Sequence, residues 1–226
     1  MAGKLYIVSV PIGNPEDITL RAIKVLKSVD LVVCEELKEG RKLLNSLGIP
    51  TPIDNLNEHN EDARTPVFIE FLKNGKSIAL ISDAGTPLFE DPGRKFVERA
   101  IEEGIEVTAV PGPSSLMAAL VVSGIDFKRF FYYGLLPRKK EERRKALKKL
   151  LSFKYPIVFM DTPYRLISVL HDIKRVFGPA RRVVVACDLT TENEFIFRGR
   201  VKDALNYFRE HDRKREFVII VDKRRD

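Results

Sequence analysis

Lys76-Ser77-Ile78-Ala79-Leu80-Ile81, followed by Ser82-Asp83-Ala84-Gly85-Thr86-Pro87, decides the fold class of this 226-residue chain. The first six residues contain a short apolar run that reads as a buried strand. The next six are small, polar and punctuated by Gly and Pro. Leu88-Phe89-Glu90-Asp91-Pro92-Gly93 then leads into a helix pattern near Arg94 to Glu103. A loop of this kind at the carboxyl end of a buried strand is where open α/β sheets hold ligands. The stretch therefore predicts one wall of a ligand cleft.

The same rhythm extends outward on both sides. Leu5 to Val10 reads as a strand running into the rigid loop Pro11-Ile12-Gly13-Asn14-Pro15, and Ile18, Ala22, Val25 and Leu26 share one helix face. Leu31 to Cys34 is a short buried strand with Glu35-Glu36 at its end. A helix around Arg41 to Leu47 ends at Gly48. The polar loop Asn57-Glu58-His59-Asn60 precedes a helix over Ala63 to Leu72, and Ile105 to Val110 is a further strand. About five strands by Val110, alternating with helices, predict a parallel α/β sheet. Pro111-Gly112-Pro113 breaks the pattern. The expected organisation is therefore two α/β domains, residues 1–112 and 113–226.

In the second half, Ser114-Ser115 opens a helix reaching Val122. An aromatic strand covers Phe130 to Leu135, and Leu136-Pro137-Arg138-Lys139-Lys140 leads into a basic helix whose buried edge is expected at Leu147, Leu150 and Leu151. Strands follow at Ile157 to Met160, at Arg182 to Ala186 ending in Cys187, and less clearly at Phe195 to Phe197. Thr162 and Pro163 suit a helix start. Val201 to Phe208 reads as helix, and Phe217 to Val221 as the strand that closes the sheet.

Composition excludes several classes. Hydrophobic residues make up 44% and charged residues 31% of the chain, as in a soluble globular protein. No apolar run approaches a membrane span. Met1-Ala2-Gly3-Lys4 lacks the features of a secretory signal. Cys34 and Cys187 end apolar runs, so buried free thiols in a reducing cytoplasm are expected. The net charge is +7, and Arg138 to Lys149 holds eight basic and two acidic residues, a balance of +6. So local an excess suggests RNA or DNA as partner, with a solvated helix face as the other reading. The dinucleotide fingerprint, the P-loop, the hydrolase nucleophile elbow and zinc-ligand spacings are all missing, so no metal is expected.

What remains is a set of strand-end loops: Pro11 to Asn14, Glu35-Glu36, Ser82 to Pro87, Pro111 to Ser115, Asp161-Thr162 and Asp188 to Thr190. They offer backbone N–H and C=O groups, hydroxyls and single carboxylates, but few cations. That suits an uncharged or cationic nucleoside better than a triphosphate.

Several of these stretches, in order along nearly the whole chain, resemble the tetrapyrrole methylase superfamily of S-adenosylmethionine-dependent methyltransferases, and within it most closely those acting on small-subunit ribosomal RNA. The resemblance is carried by Leu5-Tyr6-Ile7-Val8 with Pro11-Ile12-Gly13-Asn14, Glu16 to Ala22, Cys34-Glu35, Arg41-Lys42-Leu43-Leu44 and Glu58-His59-Asn60. It continues through Ser82 to Pro87, Pro111-Gly112-Pro113-Ser114-Ser115, Gly134-Leu135-Leu136-Pro137-Arg138-Lys139 and Glu216-Phe217-Val218. The resemblance implies two α/β domains with S-adenosylmethionine in the cleft between them, in a cytoplasmic protein that is often a homodimer. It implies cofactor contacts from Val10, Pro11, Asp83, Gly85 and Thr86, with Ser114, Ser115 and Leu116 across the cleft and Met160, Ala186 and Cys187 from the second domain. The implied substrate is the ribose 2′-oxygen of a cytidine in ribosomal RNA or the small subunit.

Three departures stand out. Glu36-Leu37-Lys38 occupies the place of the family's Asp-Thr-Arg, Asp161-Thr162-Pro163-Tyr164-Arg165 that of Glu-Ser-Pro-His-Arg, and Asp188-Leu189-Thr190-Thr191 that of Glu-Leu-Thr-Lys. A ribose hydroxyl is a weak nucleophile, so a base or orienting carboxylate is expected, with Glu35, Glu58 and His59 as candidates. Arg138, Lys139, Lys140, Arg143 and Arg144 are the expected RNA-binding cations. Two other readings are a methyltransferase of the same fold acting on a tetrapyrrole precursor, and a non-catalytic RNA- or ribosome-binding module.

Overall fold

The computed structural model describes residues 3–211 and 214–223; Met1 and Ala2, read above for secretory-signal features, lie outside them. The chain forms two compact units, Met1–Ser114 and Ser115–Asp226.

The first unit contains β1 (Lys4–Val8), α1 (Leu20–Ser28), β2 (Leu31–Cys34), α2 (Leu37–Ser46), β3 (Ile53–Asn55), α3 (Glu61–Lys73), β4 (Ile78–Ile81), α4 (Arg94–Glu102) and β5 (Glu106–Val110). Its sheet has the order β3-β2-β4-β1-β5, and every pairing is parallel. Strands buried on both faces read as continuous apolar runs. In β4, Ala79 and Ile81 pack with Ala22, Leu26 and Leu44, whereas Ile78 and Leu80 pack with Phe68, Leu72, Phe96 and Ala100 on the other face. The turn Asn57 to Asn60 leads into α3. Within α3, Pro66 stands in the second turn and lacks the N–H that would bond the Asp62 carbonyl. Because all five strands run the same way, their carboxyl ends share one edge of the sheet.

The second unit contains α5 (Ser115–Val122), β6 (Phe131–Leu135), α6 (Lys140–Lys149), β7 (Ile157–Asp161), α7 (Leu166–Phe177), β8 (Arg182–Cys187), β9 (Phe195–Arg200), α8 (Val201–Glu210) and β10 (Phe217–Val221). The sheet order is β6-β7-β10-β8-β9. Only β6 and β7 pair in parallel; β10 runs antiparallel to both its neighbours, and β9 antiparallel to β8. The last strand does not close this sheet at an edge but fills its centre. All five of its residues, Phe-Val-Ile-Ile-Val, are buried, as a central strand requires. The core beneath α6, α7 and α8 is built on Phe159, Val185, Phe217 and Ile219. Leu147 and Leu150 join it, but Leu151 does not: it follows the end of α6 and is 44% exposed. Thr162 precedes a single 3-10 turn, Pro163–Arg165, and its hydroxyl makes no capping bond. Among the described residues, no helix is long and apolar enough to cross a membrane.

Candidate functional site

The loops at the carboxyl edge of the first sheet are tied together by backbone. Val10 and Gly85 form an isolated antiparallel bridge: Val10 N–H donates to the Gly85 carbonyl at 2.9 Å, and Gly85 N–H lies 3.2 Å from the Val10 carbonyl and 3.3 Å from that of Pro11. Gly85 has φ of +81°, and a Cβ there would stand 3.0 Å from the Ile12 side chain. A glycine is required both for the turn and for the close approach. The buried Ser82 hydroxyl donates to the Gly85 carbonyl at 3.1 Å. Thr86 Oγ1 donates to the Pro113 carbonyl and lies 3.0 Å from the Ser9 hydroxyl. Pro11, Ser82 to Thr86 and Pro111 to Pro113 thus form one connected structure. No Lys or Arg occurs in any of these segments, so they suit a cationic or neutral nucleoside and not a polyphosphate.

Carboxylates crowd the same edge. Asp83 accepts a hydrogen bond from Glu36 N–H at 3.1 Å. Desolvation, then the charges of Asp83, Asp91, Glu58 and Glu36, push the Glu35 carboxyl up to about 7. Asp91 is raised to about 6, by burial and then by the charge of Asp83, against the opposing pull of the Leu88 backbone N–H. Asp83 is also raised, by desolvation and by Glu36 and Glu39. Leu88, in the connecting loop, has φ of +75°, which is strained for a side chain of that size. Glu61 accepts from the N–H groups of Gly93 and Lys95, at 3.0 and 2.9 Å, and so fixes the start of α4 beyond this loop.

Of the three candidate bases, Glu35 and Glu58 belong to this electrostatic cluster. His59 lies in the turn before α3 with its side chain 86% exposed, and its charged neighbour is Glu58 at 3.9 Å. The pattern reading included Ser82 in its strand-end loop but did not single out Ser9 or Asp91. Ser9 reads as the end of a strand and Asp91 as part of a turn. Ser9 lies just beyond the apolar run of β1, which is the signal that could have singled it out, whereas Asp91 follows the exposed Phe89 and Glu90 and carries no such signal.

In the second unit, Ser115 and Leu116 open α5, and Leu116 is buried. Met160 and Ala186 flank Val218 in register, so the three share one face of the sheet. Met160 accepts a hydrogen bond from the Tyr132 hydroxyl at 3.3 Å. Cys187 is in register with Phe217 and points to the opposite, helix-covered face. Burial pushes its thiol up to about 12, as it does that of Cys34. Cys187 can therefore offer a ligand backbone but not its side chain. The following loop is strained, with φ of +47° at Asp188 and +66° at Thr190. It is pinned where the Asp188 carboxylate accepts from Arg215, at 3.0 Å, and from Glu216 N–H, at 3.1 Å.

The basic stretch divides into two groups. Arg138, Lys139 and Lys140 are exposed on the turn into α6 and at its first residue. Arg143 and Arg144 are turned into the fold, contrary to their expected place on RNA phosphates. Arg143 is 5% exposed and grips Asp172 Oδ2 at 2.7–2.8 Å, while Arg144 takes Oδ1 of the same carboxylate at 2.7 Å. Burial favours the protonated Asp172 carboxyl, but the hydrogen bonds from Arg144 and Arg143 outweigh it and leave the group below its ordinary range. Charges taken out of water need such partners. Arg143 also donates to the Arg138 carbonyl at 3.0 Å. Arg165, paired with Asp161 at 3.1 Å, donates to the carbonyls of Leu136 and Pro137 at 2.8 Å. Two buried ion pairs therefore hold the backbone of the turn that displays Arg138 and Lys139.

Comparisons with known proteins bear on what this geometry serves. The family model of the Tetrapyrrole (Corrin/Porphyrin) Methylases matches residues 4–205. A Thermotoga maritima protein named ribosomal RNA small subunit methyltransferase I is 42% identical over 219 residues, covering 97% of this chain and 98% of its own. The Escherichia coli O157:H7 protein of the same name is 41% identical over 222 residues, covering 97% and 78%. Among solved structures, diphthine synthase aligns with TM-score 0.76 at 13% identity, covering 97% of this chain and 89% of its own. Uroporphyrin-III C-methyl transferase from Thermus thermophilus, complexed with S-adenyl homocysteine, aligns with TM-score 0.69 at 18% identity, covering 97% of each chain. Given a family match over most of its length and relatives above 40% identity from end to end, the chain belongs to the tetrapyrrole methylase family.

Proposed function

We propose that this protein transfers a methyl group from S-adenosylmethionine to the ribose 2′-oxygen of a cytidine in small-subunit ribosomal RNA. The observation that carries the reading is the 42% identity, over 97% of the chain, to a protein named for that RNA. The cation-free loops at the edge of the first sheet agree with it, since a sulfonium nucleoside needs hydroxyls, backbone polar groups and negative potential rather than a phosphate cradle.

Bound S-adenosylmethionine supplies a methyl group on a positively charged sulfur, already activated for in-line displacement. The chain's contribution is then position and proton handling. Gly85 and Thr86, with Val10, Pro11 and Ser114, provide backbone and hydroxyl contacts; Asp83 provides charge. Ser115, Leu116, Met160, Ala186 and the Cys187 backbone complete the cofactor contacts in this reading. Glu35 is the preferred base. With its carboxyl raised to about 7, a substantial fraction is ionised at neutral pH, and the group is basic enough to accept the proton of the 2′-hydroxyl. Glu35 would hold the ribose 2′-hydroxyl in line with the donated methyl group and would accept the hydroxyl proton as that group is transferred. Glu58 raises the basicity of Glu35, and His59 stands at the mouth of the site. Arg138, Lys139 and Lys140 hold RNA phosphates. The reading places the protein in the cytoplasm as a homodimer, which light scattering of the purified protein tests.

Incubation with labelled S-adenosylmethionine and small-subunit ribosomal RNA, followed by mapping of the modified nucleotide, is the direct test. A 2′-O-methylcytidine is the expected product. Label in a tetrapyrrole precursor but not in RNA, or cofactor binding with no transfer to either, would overturn the assignment.

A further inference from the structure

We propose that the face of the second unit around Tyr164 is a stacking platform for a single-stranded RNA segment, continuous with the Arg138–Lys140 turn. The inference rests on the RNA reading above and extends it to residues that neither the basic stretch nor the cofactor loops include.

Tyr164 lies in the 3-10 turn after β7 and is 76% exposed. Its ring has the Lys214 ammonium 4.7 Å from its centroid. Beside it opens a depression of about 420 Å³ lined by Lys140, Ser168, His171 and Arg209, with Ile167 contributing its apolar wall. Arg143 and Asp172 also line it, but they neutralise each other, with Arg144 on the second carboxylate oxygen. The charge left facing solvent is therefore positive, from Lys140, Arg209 and Lys214. An open aromatic ring among separated cations is the arrangement by which proteins hold unpaired bases: the ring takes a base face, and the cations take the phosphates on either side.

Two features fit RNA better than a protein partner. Lys140 belongs both to this depression and to the basic turn, so one backbone could be followed without a gap. The charged side chains facing solvent around the ring, Lys140, Arg209 and Lys214, are all cations, as a phosphate backbone requires. A protein interface would instead be expected to centre on a larger apolar patch.

The test compares binding of the purified full-length protein to a single-stranded oligoribonucleotide and to small-subunit ribosomal RNA. Tyr164→Ala is expected to weaken binding roughly 5- to 150-fold, the range given by base–aromatic stacking, and Tyr164→Phe to stay within about twofold of the parent because stacking needs only the ring. Arg209→Ala with Lys214→Ala is expected to lower the slope of log affinity against log salt by about 1.5. S-adenosylmethionine affinity, read by calorimetry, should be unchanged in every variant. Parent-level RNA binding by Tyr164→Ala overturns the platform while leaving the methyltransferase reading intact. If the parent protein neither binds nor methylates RNA, the underlying reading fails instead.

Discussion

At the residue scale, Glu35 opposes stability to chemistry. Its carboxyl has an ordinary value of 4.5 and is raised to about 7 in the fold. The folded protein therefore holds this proton more tightly than the unfolded chain does. Stability falls as pH rises from about 4.5 to about 7, and above that the penalty is fully present. Glu35→Gln removes the charge at near-constant shape. It should stabilise the protein at pH 8 by about 1 kcal/mol, discounted for solvent screening, and leave it nearly unchanged at pH 4.5. Denaturant unfolding at the two pH values measures this; equal shifts at both would show that the group does not carry the strain. The same variant should lose methyl transfer while keeping S-adenosylmethionine affinity, the trade expected at a functional site. His59→Ala, altering a side chain 86% exposed, should leave stability within about 0.5 kcal/mol. Gly85 makes the opposite case. With φ of +81° and Ile12 so close, Gly85→Ala should cost about 1–3 kcal/mol and weaken cofactor binding, because the Val10–Gly85 bridge must shift.

At the scale of elements, the turn before α6 is held from beneath. Asp172 carries both Arg143 and Arg144, and Arg143 also grips the Arg138 carbonyl. Arg143→Ala should cost about 3–5 kcal/mol by breaking a buried pair, measured by denaturant unfolding. Arg143→Lys keeps the charge but not the fork, so it should recover only part of that. In either variant, RNA affinity should fall under conditions where the protein remains folded, since the displaying turn has lost its anchor. This pair also shows where sequence pattern stops being informative. Four strands of the first sheet were readable because they are short runs rich in apolar residues, and the strand-end loops because Gly, Pro and small polar residues mark them. The three-residue β3 was too short to register. The central place of β10 depends on pairings about 30 to 60 residues away in the chain, which local periodicity does not encode. Arg143 looked like its neighbours in a run of cations; only Asp172, 29 residues on, distinguishes a buried anchor from a phosphate contact. The carboxylate cluster was likewise hidden, because Glu35, Asp83 and Asp91 come together only once parallel strands align their carboxyl ends.

For the whole molecule, the distribution of charge outweighs the total. The chain carries +7, and six of those charges fall within Arg138 to Lys149. The fold then withdraws part of that excess, because Arg143 and Arg144 are spent on Asp172, and Lys139 has Glu142 3.4 Å away. What remains in solvent is a turn of three cations followed by Lys145, Lys148 and Lys149 on α6. The first unit instead concentrates carboxylates at its ligand edge, which would repel a phosphate backbone but favour a sulfonium. RNA affinity should therefore be steeply dependent on salt and cofactor affinity nearly independent of it. Replacing Arg138, Lys139 and Lys140 together by Ala should reduce the slope of log RNA affinity against log salt by about 2, given about 0.7 to 0.9 per phosphate contact, with calorimetric S-adenosylmethionine binding unchanged. Replacing Lys145, Lys148 and Lys149 instead, on the same helix but away from the anchored turn, should change the slope much less. An equal loss from both triple variants would mean that RNA responds to the net charge of α6, and that the buried arginines beneath the turn serve stability alone.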